Sequence, residues 1–269
     1  MNSDWTESKI SELLSTALFS PDEYRFSFGI TPLQPDVFFA NHGNAEILRE
    51  KQRLLQEQPG DYVHTLERVS DWHVLASAVA QWEPSASGEN IQALAATWEP
   101  DFVILSSKHL NPVLGGCVCF PSGWSLPEKA GKSLFVAHTP VPGLNDLLAP
   151  KVGQFLSRLD TKRCFQRTNW GLTGSHALDQ HPDRRIPAIS ITTDPAAVDL
   201  RIEWQALIGL ADHLVLFGIR IFQVPLSRVR ATASLGKLLA SNLASMPAAV
   251  AEYKRLARCR ERLIQYLRS

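Results

Sequence analysis

The order of strand-like and helix-like stretches between residues 102 and 222 restricts this chain more than any other feature. Phe102-Val103-Ile104-Leu105 is a short apolar run of strand length, and Cys117 to Phe120 is a second one, stopped by Pro121. Between them, Lys108 to Gly116 contains Asn111-Pro112 and Gly115-Gly116 and reads as a turn. A helix starts at Ser125-Leu126-Pro127-Glu128, with Ser as N-cap, proline in the first turn and Glu at the third position. It finishes by His138-Thr139, because Pro140 and Pro142 follow and a residue before proline avoids the αR region. A second amphipathic helix runs from about Leu144 to Leu159, with Leu148, Val152, Phe155 and Leu159 on one face. Three longer strands follow at Cys164 to Leu172, Val198 to Leu207 and His213 to Phe222, the first two separated by a polar loop from Thr173 to Pro187.

Two strands, a helical excursion and a three-strand meander form the PAS arrangement, in which one antiparallel sheet curls around a pocket closed by the excursion. The expected fold class is therefore α+β: a PAS-like antiparallel sheet with a helical excursion, flanked by N- and C-terminal helices. A Rossmann fold is disfavoured, since its strand–helix alternation and GxGxxG loop are missing. Ahead of the sheet, a mixed opening segment has an aromatic extended stretch from Tyr24 to Phe28. Helical patterning follows from about Ala45 to a stop at Gly60, then from Asp71 to Trp82 and from Glu89 to Thr97. After the sheet come helices at about Ala231 to Leu243 and Ala248 to Leu267. The division expected is an N-terminal helical segment (1–98), a PAS-like core (99–230) and C-terminal helices (231–269), all within one compact domain.

Charge narrows the function. Lys and Arg number 27 and so do Asp and Glu, so neither phosphate nor anionic lipid has a net charge to attract it. That argues against a nucleic-acid or membrane role, and no apolar run reaches the roughly 18 residues a membrane span needs. The start MNSDWTESK has no basic-then-apolar leader pattern, so the expected location is cytoplasmic. Cys117, Cys119, Cys164 and Cys259 suit neither a disulfide framework nor a zinc or iron–sulfur ligand set.

His138 is the first residue that invites chemistry. Along a continuous helix from Ser125, Gly131, Leu134 or Phe135, and His138 fall on one small-and-apolar face. There Gly131 would let a flat ligand approach the backbone. The free carbonyls of the helix end would accept the second ring N–H, leaving a neutral imidazole for heme iron. The plainer alternative is a core histidine bonded to a turn. Two strands also carry polar residues on one side: Arg167 and Asn169 opposite Trp170 and Leu172, and Arg201, Glu203 and Gln205 opposite Leu200, Ile202 and Trp204. Arg220 stands alone in an apolar strand. Facing a pocket, these groups would hold propionates, orient an amine or relay protons; facing water, they form an ordinary sheet surface. Cys117 and Cys119 share a strand face, where core packing outweighs ligation. His176 and His181 lie in a polar loop and read as solvated.

Several of these segments, in order, resemble a known family. They are Cys119-Phe120-Pro121-Ser122-Gly123-Trp124, Glu128-Lys129-Ala130-Gly131, His138-Thr139-Pro140-Val141-Pro142, Arg167-Thr168-Asn169-Trp170, Leu200-Arg201-Ile202-Glu203-Trp204-Gln205, Phe217-Gly218-Ile219-Arg220 and Tyr253-Lys254. They are similar to the motifs of the heme-dependent oxidative N-demethylases, specifically the heme-bearing alpha-type subunit. The sequence departs from that pattern at Trp204, where an Arg is usual, at Ala137, and over Ile208 to Asp212.

The resemblance implies heme b, with its iron held by His138 and the cofactor cradled by Gly131, Arg167, Asn169 and Trp170. It implies a monooxygenase that oxidises the C–H bond next to nitrogen in a small amine, using O2; the polar strand residues Glu203, Arg201 and Arg220 are then the candidate catalytic groups. Flavin, iron–sulfur cluster and NAD(P)H are expected only on a partner reductase chain, within a homo- or hetero-oligomer. The rival reading is a heme-based gas or redox sensor, or a non-catalytic heme-binding subunit. A sensor needs an output element. The terminal helix, with Tyr253, Leu256, Leu263 and Leu267 at heptad-like spacing, is instead expected to pack on the domain or a partner.

Overall fold

The long strands with alternating apolar residues near the end of the motif region form the centre of the sheet. In the computed structural model, which describes residues 3–15, 18–20, 23–25, 29–108, 110–143 and 151–269, β6 (Asp199–Gly209) pairs along its whole length with β7 (Leu214–Pro225) and β5 (Cys164–Thr173). β7 continues to β3 (Asp101–Ser106), and β3 to β4 (Val113–Cys117). Short strands β1 (Thr31–Leu33) and β2 (Val63–His64) extend the two ends, giving a seven-stranded sheet ordered β1-β5-β6-β7-β3-β4-β2 in which every pair is antiparallel. The fold is α+β, with helices at both ends of the chain.

Strand alternation sends odd and even residues to opposite faces. The even face of β6 and β7 presents Ile202, Trp204, Ala206, Ile208, Leu214, Leu216, Phe222 and Val224 to the main core, packed against residues of the flanking helices such as Phe38, Phe39, Leu239 and Leu243. The odd face carries a second, smaller core of Val103, Leu105, Val113, Leu207 and Val215, capped by Leu126, Leu156 and Leu134 from the excursion. Leu263, Ile264 and Leu267 of the last helix (Arg260–Arg268) are buried in the main core, so this helix packs on the domain.

Four expectations need correction. β4 lies over Val113–Cys117, not Cys117 to Phe120, because Gly115 and Gly116 belong to the strand rather than to a turn. A Cβ on Gly116 would sit 2.2 Å from the Phe102 carbonyl oxygen, so glycine is what allows β3 and β4 to approach there. Gly60 does not end the helix that starts at Ala45: that helix, Ala45–Glu57, stops at Gln58, and Gly60 lies inside the next short one, Pro59–Tyr62. The helix expected from Ser125 to His138 is two helices, Leu126–Lys129 and Leu134–His138, divided at Gly131, whose φ of +73° breaks the αR run. The last helical stretch is likewise divided, into Ala248–Tyr253 and Arg260–Arg268, with Arg255 at φ 58° between them.

The helix read from Leu144 to Leu159 is helical over residues 151–156, and residues 144–150 lie outside the described residues. The same holds for residues 26–28 of the extended aromatic stretch. Among the described residues no helix is long and apolar enough to cross a membrane.

Candidate active site

The odd face of the sheet changes character along its length. At one end it is the dry secondary core. Towards the other, three cross-strand rows run Arg167–Gln205–Ile219, Asn169–Glu203–Ile221 and Gly171–Arg201–Gln223 across β5, β6 and β7. The floor is thus polar on the β5 and β6 side and apolar at Ile219 and Ile221. A Cβ built on Gly171 meets nothing within 4 Å, so there is open space above this floor.

Glu203 is the hub of the polar side. Its Oε2 accepts from the Asn169 amide at 3.3 Å and from the Gln205 amide at 2.8 Å. Burial pulls the Arg167 guanidinium below its ordinary value while the Glu203 charge resists. Burial likewise pulls Arg201 down to about 10, opposed by Glu203, Asp101 and Asp179. Arg201 spends most of its donors on the chain beside the site: Nε to Ser122 Oγ at 2.9 Å, and Nη2 to the carbonyls of Phe120 and Leu178, each at 2.9 Å. It therefore fixes the Cys119-to-Ser122 segment rather than standing free. Its Nη1 and the Gln205 Oε1 are buried without a hydrogen-bond partner among the described residues. Buried polar atoms of that kind are rare and ask for a ligand or an ordered water.

His138 ends the Leu134–His138 helix, which is tied to this face through Leu134 in the secondary core and through the Pro112–Ser133 bridge. Burial, then the charges of Arg167 and Lys129, push its imidazole down to about 4, so it is neutral at ordinary pH. The carbonyls expected to take its ring N–H are occupied: Lys129 Nζ donates to Ala137 at 2.8 Å, and the Thr139 and Val141 N–H groups to Val136 and His138. Among the described residues neither ring nitrogen has a hydrogen-bond partner. A neutral imidazole with free nitrogens, a polar-to-apolar floor, orphaned buried donors and acceptors, and open space at Gly171 all fit a heme with its propionates.

The structure brings His138, Arg167, Asn169, Arg201, Glu203 and Gln205 to one face. It does not bring Arg220, Trp170 or Gly131 there. Arg220 is on the even face, where it donates to the Phe38 carbonyl at 2.9 Å, to the Ala40 carbonyl, and to Glu99 at 2.8 Å. Burial pushes the Glu99 carboxyl up, but Arg220 and the His42 and Asn44 N–H groups outweigh it and hold it below its usual value. Trp170 packs in the main core against Phe19 and Tyr24. Gly131 is the exposed left-handed link between the two short helices, not part of a helical face.

Cys117 and Cys119 lie 3.7 Å apart, sulfur to sulfur, both fully buried in the main core, and burial pushes the Cys119 thiol well up. His176 is solvated and pairs with Asp199, whereas His181 is buried. Asp61, His181 and Asp183 bring ligand-type atoms within 4.8 Å of one another, but Arg184 already lies on Asp61 at 3.0 Å and supplies the positive charge there. His73 and His213 are exposed.

Lys254 was visible only as part of a motif. Lys254 donates to the Trp170 carbonyl at 2.7 Å, and both it and Tyr253 are close enough to Glu203 for its charge to act on them. Lys254 carries no pattern of its own, so only the resemblance pointed to it.

The sequence profile described as haem-dependent oxidative N-demethylase, alpha subunit-like, matches residues 52–264. That span contains every member of the polar face.

Proposed function

The chain belongs to the haem-dependent oxidative N-demethylase alpha-subunit-like family, and from that premise we propose that it is a heme b monooxygenase acting on a small amine. His138 would hold the iron, and Arg167, with the free Nη1 of Arg201, would meet the propionates. Bound there, heme supplies O2 activation with externally delivered electrons for oxidation of the C–H bond next to nitrogen.

The protein's own residues do the rest. Asn169 and Gln205 hold the Glu203 carboxylate in one orientation, in which it pairs with an ammonium group or passes protons. Ile219 and Ile221 give the alkyl groups an apolar seat and exclude water. Arg201 keeps the Phe120–Ser122 segment against the site. The observation that carries the reading is the neutral, unbonded His138 within reach of Arg167, on the polar face that Glu203 organises.

Support comes from the floor lying on the central strands of the sheet, and from the Arg260–Arg268 helix packing into the main core rather than projecting from it, which favours the enzyme reading over a sensor. Flavin, iron–sulfur and NAD(P)H chemistry would reside on a partner reductase, in a cytoplasmic assembly. The test is spectroscopy of the purified protein before and after reduction, with dimethylamine and trimethylamine as probes. A Soret band perturbed by either amine, and formaldehyde release with an added reductant and O2, are expected. A heme-free protein, or one indifferent to amines, defeats the proposal.

A further inference from the structure

The free edge of β5 is where the C-terminal segment returns to the site. β1 pairs only with Cys164 to Gln166, so from Arg167 onward this edge has no strand neighbour among the described residues. The Ala248–Tyr253 helix ends beside it, and Lys254 follows at the turn. Its Nζ donates to the Trp170 carbonyl at 2.7 Å and lies 5.3 Å from the centroid of the Trp170 ring. Trp170 directly follows Asn169, whose amide holds Glu203. One lysine thus fixes the strand residue adjacent to the one that grips the carboxylate, and adds a cation in reach of that carboxylate.

We propose that Lys254 is a positioning residue for Glu203, clamping the Asn169–Trp170 edge and setting the field at the carboxylate. This rests on the functional reading of Glu203 given above. The charged and titratable groups around Lys254 are Glu203 from β6, Tyr253 from its own segment, and Tyr24, which packs edge-on to Trp170 at 6.0 Å. Burial pulls the Lys254 ammonium down to about 8, against the attraction of Glu203. Tyr253 is pushed up by burial and by Glu203, and Tyr24 is pushed up to about 12 by burial and by Tyr253. Both phenols therefore stay neutral while Lys254 loses its charge. As pH rises through about 8, the clamp keeps a hydrogen-bond donor but loses its cation.

The test compares Lys254→Arg and Lys254→Met in the heme-loaded full chain. Amine-dependent kcat/KM of the unmodified protein is expected to fall as pH rises past about 8. Lys254→Arg, whose guanidinium stays charged, moves that limb upward by at least ~1 pH unit. Lys254→Met lowers kcat/KM by ~10-fold or more near neutrality and removes the limb. A readout without turnover is the infrared carboxylate band of Glu203, identified by its loss in Glu203→Gln. That band should change position in Lys254→Met, because a neighbouring cation has gone.

If Lys254→Met fails to fold, the pH limb and carboxylate band of Lys254→Arg decide instead. Unmodified protein that turns over amine, with variants unchanged in both readouts, overturns the Lys254 assignment alone. Absence of amine turnover in the unmodified protein overturns the functional reading and this inference with it.

Discussion

Asn169 and Glu203 stand directly opposite each other on β5 and β6, and the Asn169 amide donates to the Glu203 carboxylate at 3.3 Å. With Gln205 donating to the same oxygen from two residues along β6, the carboxylate is oriented by the sheet itself. A group fixed to the central strand keeps its aim without reorganising when a substrate arrives.

Glu203→Gln should therefore leave fold and heme content unchanged and lower amine-dependent turnover by ~10-fold or more, since proton-transfer groups typically contribute ~10²–10⁴-fold. Steady-state rates beside a heme spectrum and circular dichroism check this. Wild-type turnover would reduce Glu203 to an ordinary sheet residue.

Arg220 should behave differently, because its partners are Glu99 and two backbone carbonyls of the packed N-terminal segment. Arg220→Met leaves Glu99 buried without its cation and is expected to destabilise the protein by about 3–5 kcal/mol. The double variant Arg220→Met/Glu99→Gln should recover part of that loss in urea denaturation. An Arg220→Met protein of full stability and reduced turnover would place Arg220 back among the catalytic groups.

Acid sensitivity has a separate origin in His42, stacked on Trp5 with ring centroids 3.7 Å apart. Burial, then the Arg220 charge, lowers its pKa from 6.5 to about 4. Between those values the unfolded chain binds a proton that the folded chain refuses, so stability is complete above 6.5 and declines as pH falls towards about 4. Urea midpoints across this range should show a shallower decline in His42→Gln. An equal slope in both proteins would contradict the assignment.

The three long strands were legible because alternation and apolar content agree with their tertiary role: Ile202, Trp204 and Ala206 are buried on one side and Glu203 is not. β4 was not, because Gly115 and Gly116 are turn residues by composition and strand residues by necessity of close packing. The polar face of Arg167, Asn169, Arg201, Glu203 and Gln205 followed from alternation alone; alternation also puts Trp170 on the opposite face, against its expected place in the cofactor cradle. Arg220 sits in an apolar strand, and only its even position, opposite Trp204 in register, tells that it faces the other core. His138 was found on a helical-face argument that Gly131 breaks. Its placement over the sheet comes instead from Ser133 capping a new short helix by accepting from the Val136 N–H.

Everything proposed for this site depends on His138 holding the heme iron. The most direct measurement is the heme absorption and electron paramagnetic resonance spectrum of His138→Ala against the unmodified protein, with folding checked by circular dichroism. The expected result is a folded variant that has lost the histidine-ligated signature, with partial return on adding imidazole. A folded His138→Ala with an unchanged heme spectrum would contradict it, moving the ligand elsewhere, with His73, His109 and His213 the next to test.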